Sequence, residues 1–190
     1  MKYILSLVFI FNIGGLVALA QSPPPPPPPL IYKAPEKNEL KEFVSEDEKF
    51  QISFPGVPKV TKQELPNGKN TNYRVYRQGS NSVVSVTEFK FNLEKSKEKI
   101  YETIRTIILK APKTKIEAER HIQLNAISGE EFDVLSDYQY QKIRVFIVGN
   151  KMYEIRNDVT NWHIIGDKTK KEFFDETNRF FDSFKFLENI

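Results

Sequence analysis

From Phe43 onward the chain is written in short apolar and polar alternations cut by turn residues. The gaps between them are mostly too brief for the crossovers that parallel strands need. Phe50, Ile52 and Phe54 alternate with Gln51 and Ser53 and stop at Pro55-Gly56. A second run over residues 60–65 stops at Pro66-Asn67-Gly68, where Asn-Gly signals a hairpin turn. Residues 73–76 and 83–91 continue a meander. Further strands are predicted over 115–123, 130–135, 142–148 and 151–156, with Gly149-Asn150 as the tight turn between the last two, and a short strand over 184–187 closes the series.

Two segments break this rhythm with helical spacing. After Ser96, a candidate N-cap, Ile100, Ile104, Ile107 and Ile108 recur on one face until Pro112, and the other face carries charges of both signs. Residues 169–181 place Phe173, Phe174, Thr177, Phe180 and Phe181 on one stripe. The expectation is an α+β domain: a largely antiparallel β-sheet with two main helices packed on it.

The N-terminus has a different logic. Lys2, the apolar stretch over residues 3–17 and the small-x-small ending Ala18-Leu19-Ala20 read as a secretory signal peptide, residues 1–20, cleaved between Ala20 and Gln21. An uncleaved anchor is the alternative, and no other segment is apolar enough to span a membrane. The unbroken run from Pro23 to Pro29 reads as a polyproline II spacer of about 20 Å, within a stalk and linker over 21–41. It serves either as a spacer or as a ligand for a PxxP groove. A single domain over 42–190 follows, and the expected location is outside the cytoplasm, periplasmic or secreted.

Cysteine is absent, which excludes disulfides, thiolate metal sites, a cysteine nucleophile and a lipoprotein anchor. A formal charge of +3 looks basic, but lysines and arginines interleave with acids and no groove-reading motif is present, so no nucleic-acid partner is expected. His121 and His163 are the only histidines and no Gly-x-Ser-x-Gly elbow occurs. Glu130 and Glu131, as strand neighbours, point to opposite faces and cannot flank one bond. The acidic run Glu46-Asp47-Glu48 reads as a solvated turn. No catalytic residue, cofactor or metal ligand is assigned.

One segment stands apart. Asp158, Asn161, Trp162 and His163 place the single tryptophan beside a histidine in a polar loop ahead of the second helix, where binding residues concentrate. Trp162 is either a contact anchor or a lid folded onto the core. The mixed patch Tyr73, Arg74, Tyr76 and Arg77 is weaker, because alternation puts its tyrosines on opposite faces.

Four pieces in order carry a resemblance: Phe50, Ile52, Phe54, Pro55, Gly56 and Pro58; then Gly129 to Phe132; then Arg144 to Tyr153; then Phe181 to Phe184. Together they resemble exported bacterial domains of the PsbP-like kind. The resemblance implies an α/β/α sandwich and, since the best-known members are non-enzymatic accessory proteins, a binding role without catalytic residues. In it, Gly129 and Gly149 supply turn geometry. The expected function is a non-enzymatic module contacting another envelope protein. The alternatives are a small-molecule or lipid carrier with a pocket between sheet and helices, and an enzyme with an unfamiliar site. Oligomeric state is left open.

Overall fold

The computed structural model describes residues 40–77 and 79–187. The signal peptide and proline run therefore lie outside the described residues. Among the described residues ten strands form two sheets: β1 (Lys41–Ser45), β2 (Phe50–Phe54) and β10 (Lys185–Phe186) make a small one in the order β1-β2-β10. The large one contains β3 (Lys59–Leu65), β4 (Gly68–Arg77), β5 (Ser80–Phe89), β6 (Lys115–Leu124), β7 (Ile127–Leu135), β8 (Gln139–Val148) and β9 (Lys151–Thr160). Its order is β3-β4-β5-β9-β8-β7-β6, and every pairing is antiparallel. Helix α1 (Lys97–Lys110) connects β5 to β6, and α2 (Asp167–Asp182) follows β9.

Alternation along the strands sorts the core into two layers. On one face Val84, Val86, Phe146, Tyr153 and Ile155 pack against Phe50, Ile52 and Phe54 of the small sheet and Phe180 and Phe181 of α2. On the other, Phe132, Val134, Ile143, Val145, Ile147 and Met152 receive Ile100, Ile104 and Ile108 of α1. Each such fully buried side chain contributes about 2 kcal/mol of transfer free energy. The result is α1, large sheet, then small sheet with α2: an α+β sandwich.

Hydrogen bonds fix the small sheet to the large one. Tyr153 donates to the Glu48 carbonyl at 2.9 Å, and the Ser45 and Tyr73 hydroxyls lie 2.8 Å apart. Several local expectations change. The linker ends early, since Lys41 already pairs with Phe54 in β1. Glu48 is buried, accepting from Thr71 at 3.2 Å and Lys151 at 2.7 Å, so only the first two residues of the acidic run are a solvated turn. Ser96 makes no side-chain cap, because a 3-10 turn over Glu94–Ser96 precedes α1.

The glycines also differ from expectation. Gly149 takes φ +60° in its hairpin, as the turn requires. Gly129 instead lies inside β7, where a Cβ would come within 2.5 Å of the Val145 carbonyl oxygen and of Phe146 Cδ1. Neither Asn67 nor Gly68 has positive φ; Gly68 is required because a Cβ there would lie 1.9 Å from the Glu88 carbonyl oxygen.

Candidate binding cleft

The register of the outer strands brings together residues far apart in sequence. Asp133 pairs with Lys142 and Ala118, Glu131 with Arg144 and Arg120, and Leu135 with Tyr140. Of these, Arg120, Asp133, Leu135, Tyr140 and Lys142, together with Glu117 of β6 and with Phe174 and Asn178 one helical turn apart on α2, line an open cleft of about 550 Å³ whose wall includes Trp162.

One side of the cleft is charged. Arg120 forks between Glu131 at 2.7 Å and Asp133 at 2.6 Å, while Arg144 Nε donates to the second Glu131 oxygen at 2.5 Å. Lys142 lies 3.4 Å from Glu131, and it donates to Asn178 Oδ1 at 3.3 Å. Hydrogen bonding to Asp133 raises the Arg120 pKa further, so that cation is permanent. Burial, and then the hydrogen bond to Asp133 at 2.7 Å, push the Tyr140 phenol up, which keeps it a protonated donor. Lys142 and Arg144 also lie over the Phe181 ring, at 5.9 and 5.0 Å from its centroid.

The other side is aromatic. Trp162 stacks on Tyr140 with centroids 4.8 Å apart and meets Phe174 edge-on at 5.3 Å and Phe173 at 5.9 Å. Lys170 sits 5.2 Å over the indole. Trp162 is therefore both a lid and a wall: it is half-buried against Phe173 and Tyr140, and it still lines the cleft.

The other residues of the expected loop disperse. Asp158 belongs to β9, not to a loop, and its side chain lies on the sheet face opposite Trp162. Asn161 takes the left-handed φ of 59° that turns the chain into the 3-10 turn at Trp162–Ile164. His163 is exposed and meets Tyr138 edge-on at 6.0 Å. His121, exposed on the edge strand β6, pairs with Glu130 at 2.9 Å. Arg120, Asp133, Tyr140, Lys142 and Phe174 were absent from the sequence candidates because only strand register reveals them; the adjacent Phe173 and Phe174 were the one local signal.

The charged groups here are tied in mutual contacts: Arg120 and Arg144 to Glu131, Arg120 also to Asp133, Lys142 to Glu131, and the Tyr140 phenol to Asp133. Among the described residues no group of three or more His, Cys, Asp or Glu is placed to hold a metal. No described helix is long and apolar enough to cross a membrane.

The chain matches no family model and no curated protein. Among solved structures its fold is shared: the stacking of α1, the large sheet, and the small sheet with α2 is PsbP-like. One structure of this fold is the solution structure of cyanobacterial PsbP (CyanoP) from Synechocystis sp. PCC 6803, similar to this chain with a TM-score of 0.50 at 10% identity and covering 83% of this chain and 95% of that one. At that identity the likeness is one of fold.

Proposed function

We propose that this protein is an exported, non-enzymatic binding module that contacts another protein of the cell envelope through the cleft beside α2. The carrying observation is the pairing of an aromatic wall, Trp162 and Phe174, with the cations Arg120 and Lys142 in one concave site. Such a site suits a partner segment that buries an apolar or aromatic side chain against Trp162 and Phe174, flanked by polar groups that meet the balanced charges of Glu117, Arg120, Asp133 and Lys142. Residues 1–20 act as the signal peptide, and the proline run is a spacer ahead of the binding domain.

Core packing supports this reading over a carrier. The phenylalanines that would line a pocket between sheet and helices contact one another instead: Phe50 with Phe184 at 5.7 Å, Phe54 with Phe180 at 5.5 Å, and Phe146 with Phe184 at 6.1 Å. The test is affinity capture of the full chain from envelope extract, with protein and small-molecule mass spectrometry on the eluate. One envelope protein should be retained, with affinity falling about tenfold in both Trp162→Ala and Lys142→Ala. A stoichiometric small molecule and no protein would instead establish the carrier.

A further inference from the structure

The face of the large sheet turned away from the cleft carries a second polar site. Register aligns Tyr76, Asn81 and Asp158 in one row across β4, β5 and β9, with Arg74 and Arg156 in the next row on the same face. Tyr76, Asn81, Asp158 and Arg74 line a shallow cleft of about 280 Å³, together with Ser80 and Thr160.

Its polar atoms are incompletely partnered. Asp158 is only 9% exposed, and its Oδ2 accepts from Gln139 at 2.6 Å, yet its Oδ1 makes no well-formed hydrogen bond although the Asn81 side chain lies close enough to interact with the carboxylate. Asn81 Oδ1 and the Nε of Arg156, itself 8% exposed, also make none. Buried polar atoms are nearly always satisfied, so two acceptors and a donor without a well-formed bond in adjoining rows point to a missing ligand. Beside them Tyr76 stands 70% exposed, at the end of this face that α1 leaves uncovered.

The charges select the ligand's chemistry. A metal ion would meet Arg74 and Arg156, and a simple anion would meet Asp158 with Glu154 nearby on the same strand. A neutral polyol avoids both conflicts: its hydroxyls donate to the carboxylate and amide oxygens, accept from the guanidinium groups, and leave a C–H face for an aromatic ring. Tyr76 and Asp158 are two strand spacings apart, about 10 Å, which suits two linked sugar rings.

We propose that this face binds a neutral oligosaccharide, with Asp158 and Asn81 accepting its hydroxyl protons and Tyr76 stacking on a pyranose ring. The site is independent of the α2 cleft and stands or falls separately from it. Cellobiose, maltose and diacetylchitobiose, titrated to millimolar concentration into the full mature chain, provide the probe, read by amide NMR. At least one should give saturable shifts at residues 76, 81 and 158, weakened about tenfold by Tyr76→Ala. Tyr76 is exposed, so that variant keeps its fold; Asn81→Ala gives the same loss from the acceptor side. Co-sedimentation with insoluble chitin or cellulose, competed by the soluble disaccharide, identifies a polymer as the source, and soluble binding alone identifies a free sugar. The proposal is overturned if none of the three sugars shifts these amides, or if the shifts survive Tyr76→Ala.

Discussion

Glu131, with a side chain 5% exposed, holds Arg120, Arg144 and Lys142 around one carboxylate. Removing it takes the shared carboxylate from all three cations, leaving Arg120 with Asp133 and Arg144 with the exposed Asp182 while Lys142 loses its acidic partner, and breaking one side of such a partly buried network is destabilising. Glu131→Ala should lower stability by about 3 kcal/mol in urea unfolding, whereas its neighbour on the other face, in Glu130→Ala, loses only a surface contact to His121 and should change stability by less than about 1 kcal/mol. Equal losses would show that the network does not organise the cleft. Glu154 tests the opposite sheet face. Burial pushes its carboxyl above the ordinary 4.5, against the pull of Arg156. The folded state therefore keeps that proton to higher pH than the unfolded chain, and this contribution to stability is lost as pH rises through the raised native value. Glu154→Gln cannot ionise, so its stability relative to wild type should improve steadily from acid to neutral pH; a constant difference would place Glu154 in water. Alternation had put Glu130 and Glu131 on opposite faces from sequence alone. That Glu131 would meet Arg120 and Arg144 depends on the register of β6, β7 and β8, which no local pattern encodes.

Among the elements, β7 and α2 carry most of the cleft. Gly129 lets β7 approach β8 closely, and Gly129→Ala should cost about 2 kcal/mol through the clash with the Val145 carbonyl and the Phe146 ring. A thermal melt reads it, and an unchanged midpoint would mean that the strands relax apart freely. Helix α2 was legible from its phenylalanine stripe, but Phe174 turned out half-buried at the cleft and Glu176 fully buried. A stripe gives the inward direction of a helix without saying which strand ends it covers. Trp162→Ala removes the stack on Tyr140 and its contacts to Phe173 and Phe174, and should destabilise by about 2 kcal/mol. Faster amide exchange should follow in the first turns of α2 while α1 keeps its protection. Uniform acceleration across both helices would contradict a local role for the tryptophan. The strands themselves were found from period-two alternation and turn residues, but β9 runs on through Asp158 to Thr160, because its polar residues there are buried on a sheet face that reads as loop.

At the scale of the whole molecule, antiparallel pairing throughout the large sheet places α1 on one face and leaves the other to α2 and the small sheet. This was readable because short connections forbid crossovers, whereas the closure of β10 onto β2 pairs opposite ends of the domain and leaves no sequence signature. The same closure sets α2 across the outer strands and so creates the cleft. A photo-crosslinking amino acid at position 178, on the cleft wall, compared with one at the exposed position 99 on α1, tests the central claim most directly in living cells. The account predicts one discrete crosslinked protein from position 178, none from 99, and loss of that product in Trp162→Ala. Equal crosslinking from both positions, or a product indifferent to Trp162→Ala, would contradict it.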